Sequence, residues 1–146
     1  MTTSRRALTT ALCTVFLLGG CGGALKLAGR RYAHSPLIPP LIDIVRSAGP
    51  EWAGHADLLT KLQSDGRLFV CEKIPGNNHA HATWGFVQSI SVSEAFLRSD
   101  AWSADDKAEV LVIEACHVLY DTGQACHADG PRFRAALREA RKETES

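Results

Sequence analysis

Residues 110–121 read "VLVIEACHVLYD", and this stretch decides how the rest of the chain is arranged. Between Val110 and Tyr120 only Glu114 and His117 are strongly polar. A helix this apolar has to be covered on most of its sides. At about 100° per residue, Lys107, Glu114, His117 and Asp121 fall on one narrow stripe. Ile113 lies one turn before His117 on the same side, and Cys116 points to nearly the opposite side. Ser103 is a suitable N-cap, with Asp106 placed to reach back to it, and Asp105 and Asp106 suit the positive end of the helix dipole. The spacing predicts a helix from Ser103 to about Tyr120 that stops near Gly123.

On the N-terminal side, Leu41, Ile42, Val45 and Ala48 recur at helical spacing up to Gly49-Pro50, and a second helix is expected over Pro50 to Ser64. Asp65-Gly66 is a turn signal, Arg67 to Ile74 reads as a strand, and Pro75-Gly76-Asn77-Asn78 is a second turn. His79 to Val87 and Ser89 to Val92 read as two further strands, followed by a short helix from Ser93 to Arg98. Gly130-Pro131 opens the last helix, with Phe133, Ala136, Leu137 and Ala140 as its buried stripe. Arg134, Arg138 and Arg141 form a basic stripe there, read as a solvated face paired with Glu139 and Glu143. The fold class is therefore α+β: two N-terminal helices, a small sheet, then the long helix and a terminal one.

The chain of 146 residues suggests one domain. Its start looks like a secretory signal. Ser4-Arg5-Arg6 supplies a positive n-region, Ala7 to Leu18 is short and uncharged, and Leu18-Gly19-Gly20-Cys21 resembles a bacterial lipobox. Ser4-Arg5-Arg6-Ala7-Leu8 also loosely resembles a twin-arginine export motif. The expected layout is a signal over 1–20, a tether over 21–35, one domain over 36–142 and a frayed tail over 143–146. Lipid on Cys21 would hold the protein in the bacterial cell envelope, on the periplasmic or outer-membrane side, with the membrane as a partner. Removing residues 1–20 takes away Arg5 and Arg6 and moves the formal charge from zero to −2. There is no basic excess and no aromatic–basic platform, so nothing points to nucleic acid. Beyond Cys13 and Cys21, the cysteines Cys71, Cys116 and Cys126 remain. In an oxidising compartment the spacing permits a Cys116–Cys126 disulfide.

The stretch from Trp84 to Arg134 resembles a small zincin metallopeptidase of the gluzincin or Spartan-like kind. In such proteins an edge strand and a segment like "ISVSEAFL" precede a helix of the form "aVLxHExxH"; here the helix reads "AEVLVIEACH". Downstream, "ACHADGPRF" is similar to the H-G-P-x-F that supplies the third zinc histidine. The chemistry of that pattern is specific. Two histidines at i and i+4 converge on zinc, and the glutamate beside the first polarises the metal-bound water. The resemblance implies Glu114 as the general base and His117 as a zinc ligand, with a peptide or protein as substrate. Ile113 replaces the first histidine and cannot bind metal. Asp129 or His127 stands at the third position. His79-x-His81 on a strand would place two imidazoles on one face and offer replacement ligands. Three functional classes follow: a zincin-like, degenerate metallopeptidase, a non-catalytic binding or structural lipoprotein, and a small zinc-binding protein.

Overall fold

The computed structural model describes residues 28–74, 78–120 and 123–146. Cys21 and the whole expected signal lie outside them. The elements run β1 (Ala28–Ala33), α1 (Pro39–Ser47), a 3₁₀ turn (Pro50–Trp52), α2 (Ala53–Ser64), β2 (Leu68–Lys73), β3 (Ala80–Thr83) and β4 (Ser89–Ser93). Then come α3 (Glu94–Arg98), α4 (Ala104–Tyr120), a 3₁₀ segment (Gly123–Ala128) and α5 (Asp129–Thr144). The fold is α+β.

The sheet has the order β1-β2-β4-β3. β2 and β4 are parallel, and the outer strands are antiparallel to their neighbours. Its inner face presents Leu68, Val70, Ile90, Val92, Ala80 and Ala82, all buried in the core with residues of the helices. This alternation is what a strand needs to cover one face only. β1 corrects the sequence expectation, since residues 28–33 were read as part of the tether. A glycine-containing basic stretch has no strand periodicity of its own. Here Tyr32 and Ala33 pair with Val70 and Phe69, and the Arg31 guanidinium lies 3.9 Å from the centre of the Phe69 ring. β3 is also shorter than expected, because it ends at Thr83 and Trp84 to Val87 form an exposed loop.

Helix α4 is the centre of the molecule. It packs on α1, α2 and α5 and against β3, with Ala108, Leu111, Val112 and Ala115 fully buried. Each large apolar side chain buried this way contributes roughly 1.5–3 kcal/mol. Its start is the expected capping arrangement. Asp106 N–H donates to Ser103 Oγ at 3.1 Å, and Ser103 N–H donates to Asp106 Oδ2 at 2.8 Å. Two arginines of the α5 stripe, Arg134 and Arg141, are turned toward α4, whereas Arg138 acts on Glu139 of its own helix. Arg141 makes a two-pronged contact to Asp105 at 2.7 Å for both bonds, and Arg134 approaches Asp106 at 3.3 Å. Glu139 also pairs with Lys142. α5 continues to Thr144, so the helix reaches into the tail expected over 143–146.

Two devices hold the start of α5 against α4. Gly130 is buried, and a Cβ there would stand 2.6 Å from Glu109 Oε1 and 3.1 Å from Ile113 Cδ1, so a larger residue would have to displace these side-chain ends. Cys116 and Cys126 form a disulfide with Cα atoms 5.5 Å apart, tying α4 to the 3₁₀ segment; Cys71 is a free, buried cysteine. A cross-link closing so short a loop stabilises by about 2.5 kcal/mol on chain-entropy grounds. The paired Cys116→Ala, Cys126→Ala variant is therefore expected to lose about 2–3 kcal/mol in urea unfolding. An unchanged midpoint would mean that the bond holds nothing the packing does not already hold.

Candidate functional site

The residues singled out on α4 face the edge of the sheet and the corner leading into α5. Glu114 is directed at β3, where the backbone N–H of Ala82 lies near enough to its carboxyl to favour the charged form. Burial drives its carboxyl up to about 7 from the ordinary 4.5, and the Ala82 N–H only partly opposes this. This carboxyl is largely withdrawn from solvent between the helix and the edge strand. One turn on, the His117 ring lies 5.5 Å from that of His127, edge to face. His81, on β3, is held below its ordinary range by burial, with a further contribution from the charge of His117. Glu114, His117, His81 and His127 thus share one region.

Two other expected residues lie elsewhere. His79 precedes β3, stacks on Phe96 at 4.4 Å and meets Trp102 edge-on at 4.8 Å. It belongs to an aromatic cluster and is not aimed at His117. Asp129 does not cap α5, whose N-cap is Ala128. Its Oδ1 accepts from Arg132 at 2.9 Å, and its Oδ2 lies 3.7 Å from Nε2 of His55 in α2. The sequence reading missed His55. Its one signal was a histidine three residues after Trp52 on the buried side of an amphipathic helix, a pattern that core histidines share.

The donors do not fit the zinc site that the resemblance implies. Ile113 has no lone pair and packs toward Gly130. Asp129 is engaged by His55 and Arg132, and Glu114 by the strand. Among the described residues no three His, Cys, Asp or Glu side chains are grouped so as to hold a metal ion. Comparisons with known protein families, with curated proteins and with solved structures find no match to the chain.

The raised Glu114 carboxyl has a consequence for stability. A carboxyl whose folded value lies above its unfolded one favours the fold fully below pH 4.5, and that advantage is lost as pH rises through about 7. The loss is roughly 3 kcal/mol. His55 and His81, both held neutral by burial, act in the opposite sense, because their contribution is lost as pH falls. Only the difference between a variant and the wild type isolates Glu114. Glu114→Gln keeps an acceptor for Ala82 and removes the charge. It is expected to be more stable than wild type at pH 8 by up to about 3 kcal/mol and equal to it near pH 4.5, measured by urea unfolding across that range. Equal stability of the two proteins at both pH values would show that the carboxyl is solvated after all.

Proposed function

We propose that this chain is a lipid-anchored envelope protein whose domain keeps a zincin-like frame and serves binding rather than hydrolysis. The observation that carries this reading is the packing of Glu114, withdrawn from solvent, against the backbone N–H of Ala82 on β3. It supports the frame, because an antiparallel edge strand runs beside the motif helix where the resemblance expects one. It also counts against catalysis, because the carboxyl that would act as general base is buried and already engaged. A general base has to reach a substrate or its water at hydrogen-bond distance.

The positions of the lost ligands add support. Ile113, at the first histidine's place, packs against the start of α5, and His117 meets His127 at the same joint. The joint has kept the geometry of convergence while the donor types have changed. The lipid anchor rests on Leu18-Gly19-Gly20-Cys21 alone. Among the described residues no helix is long and apolar enough to cross a membrane. Multiple acyl chains on a lipobox cysteine are sufficient for a firm attachment without one.

Three measurements on the mature protein test this. Mass spectrometry of the N-terminus should find an acylated Cys21; an unmodified N-terminus at another residue rejects the anchor. Wild type is expected to bind zinc weakly and to cleave no peptide, whereas zinc near one per chain together with peptide hydrolysis would restore the peptidase reading. Stoichiometric zinc without hydrolysis would favour a metal-binding protein built on His117 and His127. Ile113→His should raise zinc affinity about tenfold by restoring an i, i+4 imidazole pair. Without metal the same variant should lose about 1–2 kcal/mol of stability, which zinc then recovers. If it gains neither affinity nor zinc-dependent stability, the joint between α4 and α5 is no former metal site.

A further inference from the structure

On the Cys116 side of α4, away from Glu114, the surface is indented by a cleft of about 480 Å³. It is lined by Glu51, Trp52, His55, Tyr120, Asp129 and Arg132, which come from the 3₁₀ turn Pro50–Trp52, the start of α2, the end of α4 and the start of α5. Three properties of this lining point to a ligand.

The first is an incomplete floor. Trp52 is 2% exposed and His55 7% exposed; Trp52 Nε1 is buried without a hydrogen-bond partner, and His55 Nε2 has only the Asp129 carboxylate, 3.7 Å away. Buried polar atoms are nearly always partnered, and each exception calls for a cause. A hydrogen-bonding group entering through the cleft would satisfy what the fold leaves open.

The second is a fixed cation. Arg132 donates from Nη1 to Asp129 Oδ1 at 2.9 Å, and Asp129 in turn sits 3.7 Å from His55. This row leaves the other guanidinium N–H groups of Arg132 available. They form the fork that suits a carboxylate.

The third is a separate anion. Glu51 makes no ion pair among the described residues, so the two opposite charges on the rim do not neutralise each other. With Asp129 included, the lining carries one excess negative charge, which disfavours phosphate and other polyanions. The size of the cleft is that of a small-molecule site, too small for a macromolecular surface. The exposed Tyr120 ring supplies an apolar wall.

We propose that this cleft binds a short zwitterionic peptide of one to three residues, with its carboxylate on Arg132, its ammonium group on Glu51 and its side chain against Tyr120. The inference stands apart from the zincin reading. It uses none of Glu114, His117 or His127, so either can fail without the other.

The test uses the mature protein labelled with ¹⁵N and follows the indole N–H resonance of Trp52. The probe is the dipeptide Ala-Phe, with its N-acetyl and C-amide derivatives. Ala-Phe is expected to shift the Trp52 signal saturably, and each capped derivative to bind about tenfold more weakly. Glu51→Gln should erase the difference between Ala-Phe and its N-acetyl form, and Arg132→Gln that between Ala-Phe and its amide. Both residues are exposed, so the fold is expected to survive either change. No saturable shift at millimolar dipeptide overturns the proposal. So does binding that ignores both caps, and so does equal discrimination by wild type and the two variants.

Discussion

The need to cover α4 governs the rest of the structure. A helix whose residues from Val110 to Tyr120 are nearly all apolar cannot rest on one surface, so helices, sheet and the α5 corner close around it. Every polar group it carries must then find a partner at one of those contacts. Asp105, Asp106 and Glu109 meet the arginines of α5. Glu114 meets a backbone N–H of β3, which serves both sides. An edge strand has backbone groups with no strand to receive them, and covering them keeps other chains from pairing there. The carboxyl does this at the expense of its own hydration, which is why it holds its proton to an unusually high pH.

Much of this was legible in the sequence because it is local. The helical spacing of Leu41, Ile42 and Val45, the turn at Asp65-Gly66, and the Ser103–Asp106 cap each follow from residues within a few positions of one another. The spacing of Cys116 and Cys126 permitted their disulfide, but only the structure shows it. What could not be read depends on distant partners. β1 exists because β2 lies beside it. Arg134 and Arg141 of α5 look like part of a solvated stripe until α4 is placed opposite them. Asp129 reads as a cap for its own helix because nothing near it announces His55. His79 and His81 share the parity of a strand, but β3 begins only at Ala80, and the aromatic rings of Phe96 and Trp102 claim His79 first.

The candidate site was legible to the same extent. Glu114, His117 and His127 were chosen because the zincin resemblance implies them, and they lie together with His81. The meaning of Glu114 was not available from spacing, since a carboxyl on a helix stripe gives no sign of whether it will meet solvent or a strand. The cleft on the other side of α4 was invisible for a different reason: its lining comes from a 3₁₀ turn and three separate helices. Residues 116 and 117 are about 100° apart on one helix. The Cys116–Cys126 disulfide therefore borders the cleft and also ties down the segment that brings His127 to His117.

The strand order β1-β2-β4-β3 also constrains how the chain reaches its final state. β4 is the last strand in sequence, yet it lies between β2 and β3. The connection after Lys73 must leave a gap two strand spacings wide, about 10 Å, for a strand that has not yet arrived. β3 can pair early only with β4, through the Trp84–Gln88 loop. The economical route is for that hairpin to form as a unit and then dock β4 along β2 in parallel. Until it docks, the inner edge of β2 is open. Because α4 packs on β3 and not on β2, the hairpin couples the central helix to the sheet, and closing the sheet depends on a non-local parallel pairing, the kind of contact that slows folding.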